Sequence, residues 1–327
     1  MATPLISIVI PCYNGGRWLQ AALQSVHDQG IDNLEVIVID DGSTDDSVAI
    51  ARRDSGVSHV LVQDHAGASR ARNVGTAKAR GDYIQYLDAD DHLAPGKITK
   101  QLAALEAAGA DVAYGDWQRF KEGHVDDAIA GEVVRREMVG EPEIELFLRF
   151  WCPPAAYLFT RRIVNAVGTW NEALPVIQDA RFALDCALRG GRFQYVPGVM
   201  AYYRVHASGS LSTRDHGAFV RDCLRNAVEV RDWWLRHGGL TDRRRRAIIE
   251  ALGFVARASY RVDASLFEEA LGLLEGMNPG YVPPAPKRLA VASRIFGYRR
   301  AEGLAWQYRR AKAALTIGRR VYKPSRP

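Results

Sequence analysis

Three closely spaced aspartates near residue 90 are the first candidates for a functional site. Residues 83–87 form an apolar run of strand length, and Asp88, Asp90 and Asp91 come directly after it. A core cannot hold such acids without counter-charge, so we expect them at the open end of a strand. A divalent cation with oxygen ligands would relieve their mutual repulsion. The turn is therefore predicted to bind a metal ion and phosphate, the alternative being a solvated acidic turn.

Acidic residues at two further positions favour a metal-binding turn over a solvated one. Asp40 and Asp41 follow the apolar run 34–39, and Asp179 comes next to Gln178 at the start of a helical pattern. Ligands of open α/β sheets bind at the carboxyl ends of the strands, where such acids are expected. Three separate acidic turns at element ends favour a shared ligand site.

Predicted strands and helices alternate along the part of the chain that carries the first two acidic turns. Apolar runs predict strands at 5–10, 34–39, 57–62, 83–87 and 111–120, and periodic patterns predict helices after Gly15-Gly16 and at 45–53, 69–80 and 95–108. Ser43 or Thr44 is expected to cap the helix at 45–53. Such alternation implies right-handed crossovers, a mostly parallel central sheet and helices on both of its faces. The fold class is therefore α/β.

The pattern changes along the second half of the chain. An edge strand is predicted at 155–160, a helix at 178–189, and strands at 193–196 and 199–206. Beyond these, helices are predicted at 216–237, 242–260, 264–276 and 287–320. We therefore expect an α/β domain over residues 1–213 and a mainly helical extension over residues 214–327.

Composition indicates a globular protein of about two domains. The chain has 327 residues, 47% of them hydrophobic and 25% charged, and no apolar segment approaches the ~20 residues that cross a bilayer. The start lacks a basic leader, so no signal peptide is expected. Four widely spaced cysteines match neither a zinc site nor a dense disulfide framework: Cys12, Cys152, Cys186 and Cys223. A reducing, cytoplasmic location is favoured.

The net charge of +5 is concentrated at the C-terminus. Residues 286–327 contain 12 Lys and Arg against one acid, Glu302, whereas residues 1–285 contain 31 basic against 37 acidic residues. Leu304 and Tyr308 recur at helical spacing with Ala311 and Leu315, and basic residues fill the other faces. Such a helix suits either an anionic membrane surface or packing on the protein or a second copy of it.

Six stretches in order carry a resemblance to a known family: SIVIPCYNGG (7–16), VIVIDDGSTDDS (36–47), SRARNVGTAKARGDYIQYLDADD (69–91), GTWNE (168–172), QDARFALD (178–185) and YYRVHASGSLS (202–212). With these motifs, residues up to about 210 resemble family 2 inverting glycosyltransferases of the GT-A fold. The resemblance implies transfer of a sugar from a nucleotide-diphospho-sugar, with a UDP-sugar favoured, to a glycan or lipid-linked acceptor. Assembly of bacterial surface polysaccharide is the expected setting.

The resemblance also implies roles for individual residues. Donor binding falls to Pro11, Tyr13, Asn14, Asp40, Arg72, Asp88 and His206. Among these, Tyr13 offers a stacking face to the base, Asp40 accepts from the base N–H, and Arg72 suits the ribose or pyrophosphate through its planar fork. Asp41 is expected to order the turn before the next helix. His206 lies near the diphosphate or metal, unless it is structural.

The remaining roles concern the metal, the base and the acceptor. Asp90 corresponds to the residue that holds Mn2+ or Mg2+ on the donor phosphates. Asp179 corresponds to the general base, although this chain has Gln178 where the family usually has Glu. Trp170 and Glu172 resemble the acceptor-side loop. Each side chain also has a structural interpretation, such as a helix cap for Asp179 or a solvent-facing Arg72.

Two other functions remain as alternatives. A non-catalytic nucleotide-sugar or glycan-binding protein would keep the donor site without the base. A haloacid-dehalogenase-like phosphatase also uses an Asp-x-Asp pair after a strand, but here Asp91 and His92 follow, and no later lysine motif is evident. No nucleic-acid partner is expected. The location is cytoplasmic or peripheral at the inner face of the plasma membrane, and a homo-oligomer is left open.

Overall fold

A computed structural model describes residues 4–121, 131–206 and 211–321, with backbone alone at 211–212 and 313–321. The chain divides into two compact units, Met1–Arg214 and Asp215–Pro327. None of the helices described is both long and apolar enough to cross a membrane. The four cysteines named above are unpaired thiols.

The first unit is built on one mixed sheet. Its strands are β1 (Ile6–Cys12), β2 (Leu34–Asp40), β3 (Val57–Val62), β4 (Tyr83–Tyr86), β5 (His92–Leu93), β6 (Val112–Lys121), β7 (Val133–Val134), β8 (Tyr157–Thr160) and β9 (Phe193–Val205). The order is β3-β2-β1-β4-β8-β6-β9-β5, with β7 paired to β6. The ladders β3-β2-β1-β4 and β6-β9 are parallel, so β1, β2 and β4 end at the same edge.

Two strand predictions are wrong. The stretch predicted as an edge strand forms β8, which lies inside the sheet and pairs antiparallel with both β4 and β6. Its Tyr157, Leu158 and Phe159 are all buried, as an interior strand requires. The two strands predicted at 193–206 are one continuous strand, β9. Gly115 of β6 pairs with Val196 and Asp116 pairs with Val199, so Pro197 and Gly198 form a bulge within β9.

Helices cover this sheet: α1 (Gly16–His27), α2 (Ser47–Arg53), α3 (Ala68–Lys78), α4 (Lys97–Ala108), α5 (Pro142–Leu148), α6 (Arg161–Val167), α7 (Gln178–Leu188) and the short α8 (Leu211–Arg214). Helix α2 starts later than predicted, because the Asp45 carboxylate accepts from the backbone N–H groups of Gly16 and Ser47. Helix α3 approaches the sheet closely at Gly75, where a Cβ would meet Val9 and Ile39 at 2.5 Å. That approach fixes the height of α3 above β1 and β2.

The second unit is helical: α9 (His216–Arg236), α10 (Asp242–Ser259), α11 (Ala264–Met277), α12 (Lys287–Phe296) and α13 (Tyr298–Val321). Side chains of Asp215, Thr241 and Asp263 cap the first three by accepting a backbone N–H three residues on. The single helix predicted at 287–320 is wrong. Gly297 has φ +76°, a left-handed conformation that ends α12 and separates it from α13.

Candidate functional site

The ends of β1 and β2 form a corner with an aromatic face and a buried carboxylate. Tyr13 is 51% exposed and stacks on His65, with ring centroids 4.0 Å apart. Asp40, the register partner of Cys12 at the end of β1, is 2% exposed. Its Oδ2 accepts from the Ser43 N–H at 3.0 Å, while its Oδ1 has no hydrogen-bond partner among the described residues. A buried acceptor of this kind suits an N–H donor on a ligand.

Asn14 joins the two strand ends of this corner. It has φ +49°, a conformation that asparagine tolerates better than most residues. Its side-chain oxygen accepts from the Thr44 N–H at 2.8 Å, and its own N–H donates to Ser43 Oγ at 2.8 Å. The preceding Pro11 is buried within β1 opposite Ile39. The loops after β1 and β2 are thus held together as one wall.

Asp41 orders a different turn from the one predicted. Its carboxylate accepts from the N–H groups of Ala66 and Gly67 at 2.9 and 2.8 Å, and from the Gln63 side chain. These bonds shape the loop between β3 and α3, which carries His65 under Tyr13. Sequence reasoning missed His65, because no local pattern links it to Tyr13.

The acidic turn after β4 contains one fully buried carboxylate. The Asp91 Oδ1 accepts from the Arg204 N–H at 2.8 Å, and the Arg204 side chain donates to the carbonyl oxygen of Asp90. Burial raises the pKa of Asp91 well above its ordinary range, and the nearby Asp90 and Asp88 raise it further. The second oxygen of Asp91 lacks a partner among the described residues. Asp91 therefore supports the turn, whereas Asp88 and Asp90 reach its outer side.

Asp90 and His206 form a pair that could hold part of a metal site. His206 Nε2 lies 2.6 Å from Asp90 Oδ2, and the imidazole packs edge-on against Trp18. Carboxylate and imidazole donors suit Mn2+, and a carboxylate suits Mg2+. Within residues 4–121, 131–206 and 211–321, no group of three or more metal-ligating side chains is present. The pair thus fits an ion whose remaining ligands come from donor phosphates or water.

Arg72 of α3 is committed to two protein acceptors. Its guanidinium is buried, donates to Asp88 Oδ1, and donates to Gln178 Oε1 at 3.0 Å. The guanidinium also lies 4.4 Å from the centre of the Trp170 ring. Because Gln178 is neutral, Asp88 is the acidic partner of Arg72 in this arrangement. A direct donor contact by Arg72 stays a prediction; the geometry shows that it orients Asp88.

Asp179 lies in the first turn of α7, and each of its carboxylate oxygens accepts a hydrogen bond. Its Oδ2 accepts from the indole N–H of Trp151 at 2.6 Å, and its Oδ1 accepts from the Ala180 N–H at 2.8 Å. Burial raises the pKa of Asp179, while the Trp151 bond and the Arg72 charge oppose that rise. A carboxylate with a raised pKa is a suitable proton acceptor. Sequence reasoning missed Trp151, and the pKa of its neighbour Cys152 is raised by burial to about 12, which agrees with a structural role.

Tyr203 of β9 lies beside the indole that holds Asp179. Burial raises the pKa of Tyr203, and the charges of Asp91, Asp179, Asp88 and Asp90 raise it further in that order. Tyr203 also packs edge-on against Trp117 and Trp151. Tyr203 therefore packs on the indole that donates to Asp179, and Arg72 links the start of α7 to Asp88 of the acidic turn. Tyr203 is a third residue, after His65 and Trp151, that the sequence patterns did not reveal.

The predicted acceptor-side residues occupy different depths. Trp170 is 3% exposed and stacks on Phe182 at 4.2 Å, beneath Arg72. Glu172 is exposed and accepts from the Asn73 side chain at 2.8 Å. Both line a cavity of about 440 Å³. Trp170 thus supports the site from below, and Glu172 reaches solvent beside it; acceptor contact stays a prediction for both.

Comparisons with known proteins identify a family and several relatives. Residues 7–157 match the family described as glycosyl transferase family 2. An uncharacterized glycosyltransferase of Haemophilus influenzae is 43% identical over 106 residues, 31% of this chain and 42% of that protein. UDP-Glc:alpha-D-GlcNAc-diphosphoundecaprenol beta-1,3-glucosyltransferase WfaP of Escherichia coli is 28% identical over 221 residues, 66% of this chain and 83% of that protein. The chain spans less than half of the first curated relatives that it matches.

Solved structures share the architecture at low sequence identity. S. aureus TarS 1–349 in complex with UDP-GlcNAc has a TM-score of 0.66 and 17% identity, with 93% of this chain and 92% of that chain covered. The mannosyltransferase PcManGT of Pyrobaculum calidifontis, in complex with GDP-Man and Mn2+, has a TM-score of 0.58 and 16% identity, with 93% and 84% covered.

Proposed function

Since residues 7–157 form a domain of glycosyl transferase family 2 on a GT-A fold, we propose that this chain is an inverting glycosyltransferase. It moves a sugar from a nucleotide-diphospho-sugar, with UDP favoured, to the hydroxyl of a glycan or lipid-linked acceptor. Residues 1–213 act as the catalytic domain. Arg72 bridges Asp88 of the acidic turn and Gln178 at the start of α7, next to Asp179, and this adjacency is the observation that carries the proposal.

The donor base lies in the corner formed by β1 and β2. Tyr13, backed by His65, stacks on the base, and the unpartnered Asp40 Oδ1 accepts its N–H. Asn14 holds the wall of the corner, and Asp88 takes the ribose while Arg72 orients it. The structures with UDP-GlcNAc and with GDP-Man support a nucleotide-sugar donor, and the donor and acceptor named for WfaP favour UDP and a lipid-linked acceptor.

The metal site consists of Asp90 with His206 beside it. The presence of Mn2+ in the PcManGT complex supports a divalent ion here. Bound Mn2+ or Mg2+ would supply Lewis-acid stabilisation of negative charge on the donor phosphates. Arg204 fixes the acidic turn through its bonds to Asp91 and to the Asp90 carbonyl, so it keeps Asp90 at the surface of the site.

Asp179 is the general base in this proposal. It removes the proton of the acceptor hydroxyl as that oxygen bonds to the anomeric carbon. The bond between this carbon and the diphosphate oxygen breaks at the same time, and the nucleoside diphosphate leaves with the bonding electrons. Trp151 holds the carboxylate in place through its N–H. A single carboxylate acting opposite the leaving group gives inversion.

The fold argues against one of the two alternative functions, and a donor-hydrolysis experiment tests the other. The GT-A fold contradicts a haloacid-dehalogenase-like phosphatase. A non-catalytic nucleotide-sugar-binding protein would have no need for a carboxylate with a raised pKa held by an indole N–H. Slow release of nucleoside diphosphate from the donor in the presence of Mn2+ would separate catalysis from binding, because a binding protein leaves the donor intact.

A thermal-shift screen of UDP-, GDP- and dTDP-sugars, each with and without Mn2+, tests the donor site. We expect the largest stabilisation from a UDP-sugar with Mn2+, because ligands of the native state raise the apparent stability. Asp90→Asn should remove the Mn2+-dependent part and keep the nucleotide-dependent part. No stabilisation by any nucleotide-sugar would end the assignment.

A further inference from the structure

Helices α12 and α13 present an exposed apolar face. Twelve large hydrophobic side chains are exposed among the described residues, and five of them lie on these two helices: Val291, Ile295, Phe296, Leu304 and Tyr308. Each of the five is 50% to 66% exposed. The opposite face is buried, with Leu289, Ala290 and Ala301 in the core of the unit. Packing on the same chain therefore does not account for Leu304 and Tyr308.

The five side chains form a continuous surface, here called the hairpin face. Phe296 and Leu304 line one cavity of about 460 Å³ together with Arg300 and Trp306. At the other end, the Arg288 guanidinium of α12 lies 5.9 Å from the centre of the Tyr308 ring of α13. Val291 and Ile295 are one helical turn apart between these two ends.

Basic residues predominate on the hairpin face, and Arg299 at its edge pairs with the exposed Glu268 of α11. Residues 287–312 contain eight Lys and Arg and a single acid, Glu302. Glu302 is fully buried and accepts from Arg309 at 2.6 Å, so it does not offset the surface charge. Arg310 lies 5.3 Å from the Trp306 ring, which joins an aromatic side chain to the basic rim. The basic sequence continues beyond residue 312, where the side chains lie outside the described part of the chain.

We propose that the hairpin face docks on an anionic lipid bilayer, with its apolar side chains in the interface and its arginines at the lipid phosphates. An interfacial amphipathic surface typically combines exposed Phe, Leu and Ile with Trp, Tyr and a rim of basic residues. The hairpin face has this composition. The excess of eight basic residues over one buried acid within residues 287–312 favours an anionic layer over the mixed rim typical of a protein partner. This inference goes beyond the proposed transfer reaction and does not depend on the donor.

Co-sedimentation of the full chain with vesicles tests the proposal. We expect binding to vesicles that contain phosphatidylglycerol, none to vesicles of phosphatidylcholine alone, and weaker binding at high salt. Arg288→Glu with Arg300→Glu should reduce the binding at least about tenfold, since each basic residue near an anionic surface adds to the affinity. The matched control is Lys100→Glu with Arg246→Glu, which changes the net charge equally at two exposed positions elsewhere and should bind normally.

A second pair of variants tests the apolar part. Ile295→Ser with Leu304→Ser should weaken vesicle binding, whereas Leu235→Ser with Val262→Ser, at similarly exposed positions, should not. Circular dichroism verifies that each variant is folded. Absence of binding to anionic vesicles, or equal losses in test and control variants, would overturn the proposal. Self-association that Ile295→Ser with Leu304→Ser abolishes, without any vesicle binding, would assign the face to a second copy instead. The assay involves no turnover, so its failure leaves the proposed reaction intact.

Discussion

Replacement of Trp151 by Phe tests whether the indole tunes Asp179 as a base. The indole N–H donates to Asp179 Oδ2 at 2.6 Å, and this bond lowers the pKa that burial raises. A hydrogen bond to a charged group contributes about 1.5–3 kcal/mol, and one pKa unit corresponds to about 1.4 kcal/mol. Loss of the bond should therefore raise the pKa of Asp179 by about one to two units.

The sign of the effect on activity follows from the role of a base. Asp179 must be ionised to accept a proton, so kcat falls as the pH drops through its pKa. Trp151→Phe should shift the acidic limb of the kcat profile upward by about one to two pH units. At high pH the rate should approach that of the wild type, because the carboxylate is then ionised in both proteins.

Trp117→Phe is the matched control for this experiment. Trp117 packs edge-on against Trp151 at 5.1 Å, also contacts Tyr203, and has no acceptor for its indole N–H among the described residues. This variant loses a similar aromatic area in the same cluster without removing a bond to Asp179. An unmoved acidic limb in Trp151→Phe, or an equal shift in both variants, would refute the reasoning.

Three further predictions concern the donor corner, the ionic pair and the sheet. Asp40→Asn should raise the donor KM about tenfold with little change in kcat, measured by initial rates, because an amide can turn its N–H2 toward the ligand N–H. Arg72→Lys should lower kcat/KM at least about tenfold, because an ammonium cannot keep the planar fork that orients Asp88; equal rates would contradict this. Gly115→Ala should lower the free energy of unfolding by about 1–3 kcal/mol in denaturant titrations, since its Cβ would meet a β9 carbonyl oxygen at 2.6 Å. Gly272→Ala, with nothing within 4 Å, should cost no stability, and equal losses would refute the packing argument.

The positions of single strands could be predicted from the sequence, but the pairing of those strands could not. The apolar run at 34–39 became β2 because it is long, buried and bounded by turn residues, and the run at 57–62 became the partly exposed edge strand β3 beside it. The interior position of β8 depends on contacts with β4 and β6, which are distant in sequence. Likewise, Pro197-Gly198 resembles a strand break, yet the partner strand shifts its register and keeps β9 continuous.

Part of the candidate site could likewise be predicted from the sequence, and part of it could not. Acids at strand ends are visible in the sequence, because a core rejects them and an α/β sheet gathers them at one edge. Trp151 and Tyr203 resemble ordinary core aromatics in the sequence. Trp151 reaches Asp179 only when the segment before β8 folds against α7, and Tyr203 joins them by packing on Trp151. Arg72 was expected to contact the donor, and only the structure reveals its bonds to Asp88 and Gln178.

Measurement of both donor binding and sugar transfer in Asp179→Asn distinguishes a general base from a residue that only holds the donor. Asparagine keeps the shape of the side chain and removes its basicity. We predict unchanged calorimetric affinity for the UDP-sugar with Mn2+ and a loss of transfer of about 10²- to 10⁴-fold, the usual contribution of a general base. Transfer at the wild-type rate in Asp179→Asn would contradict the account.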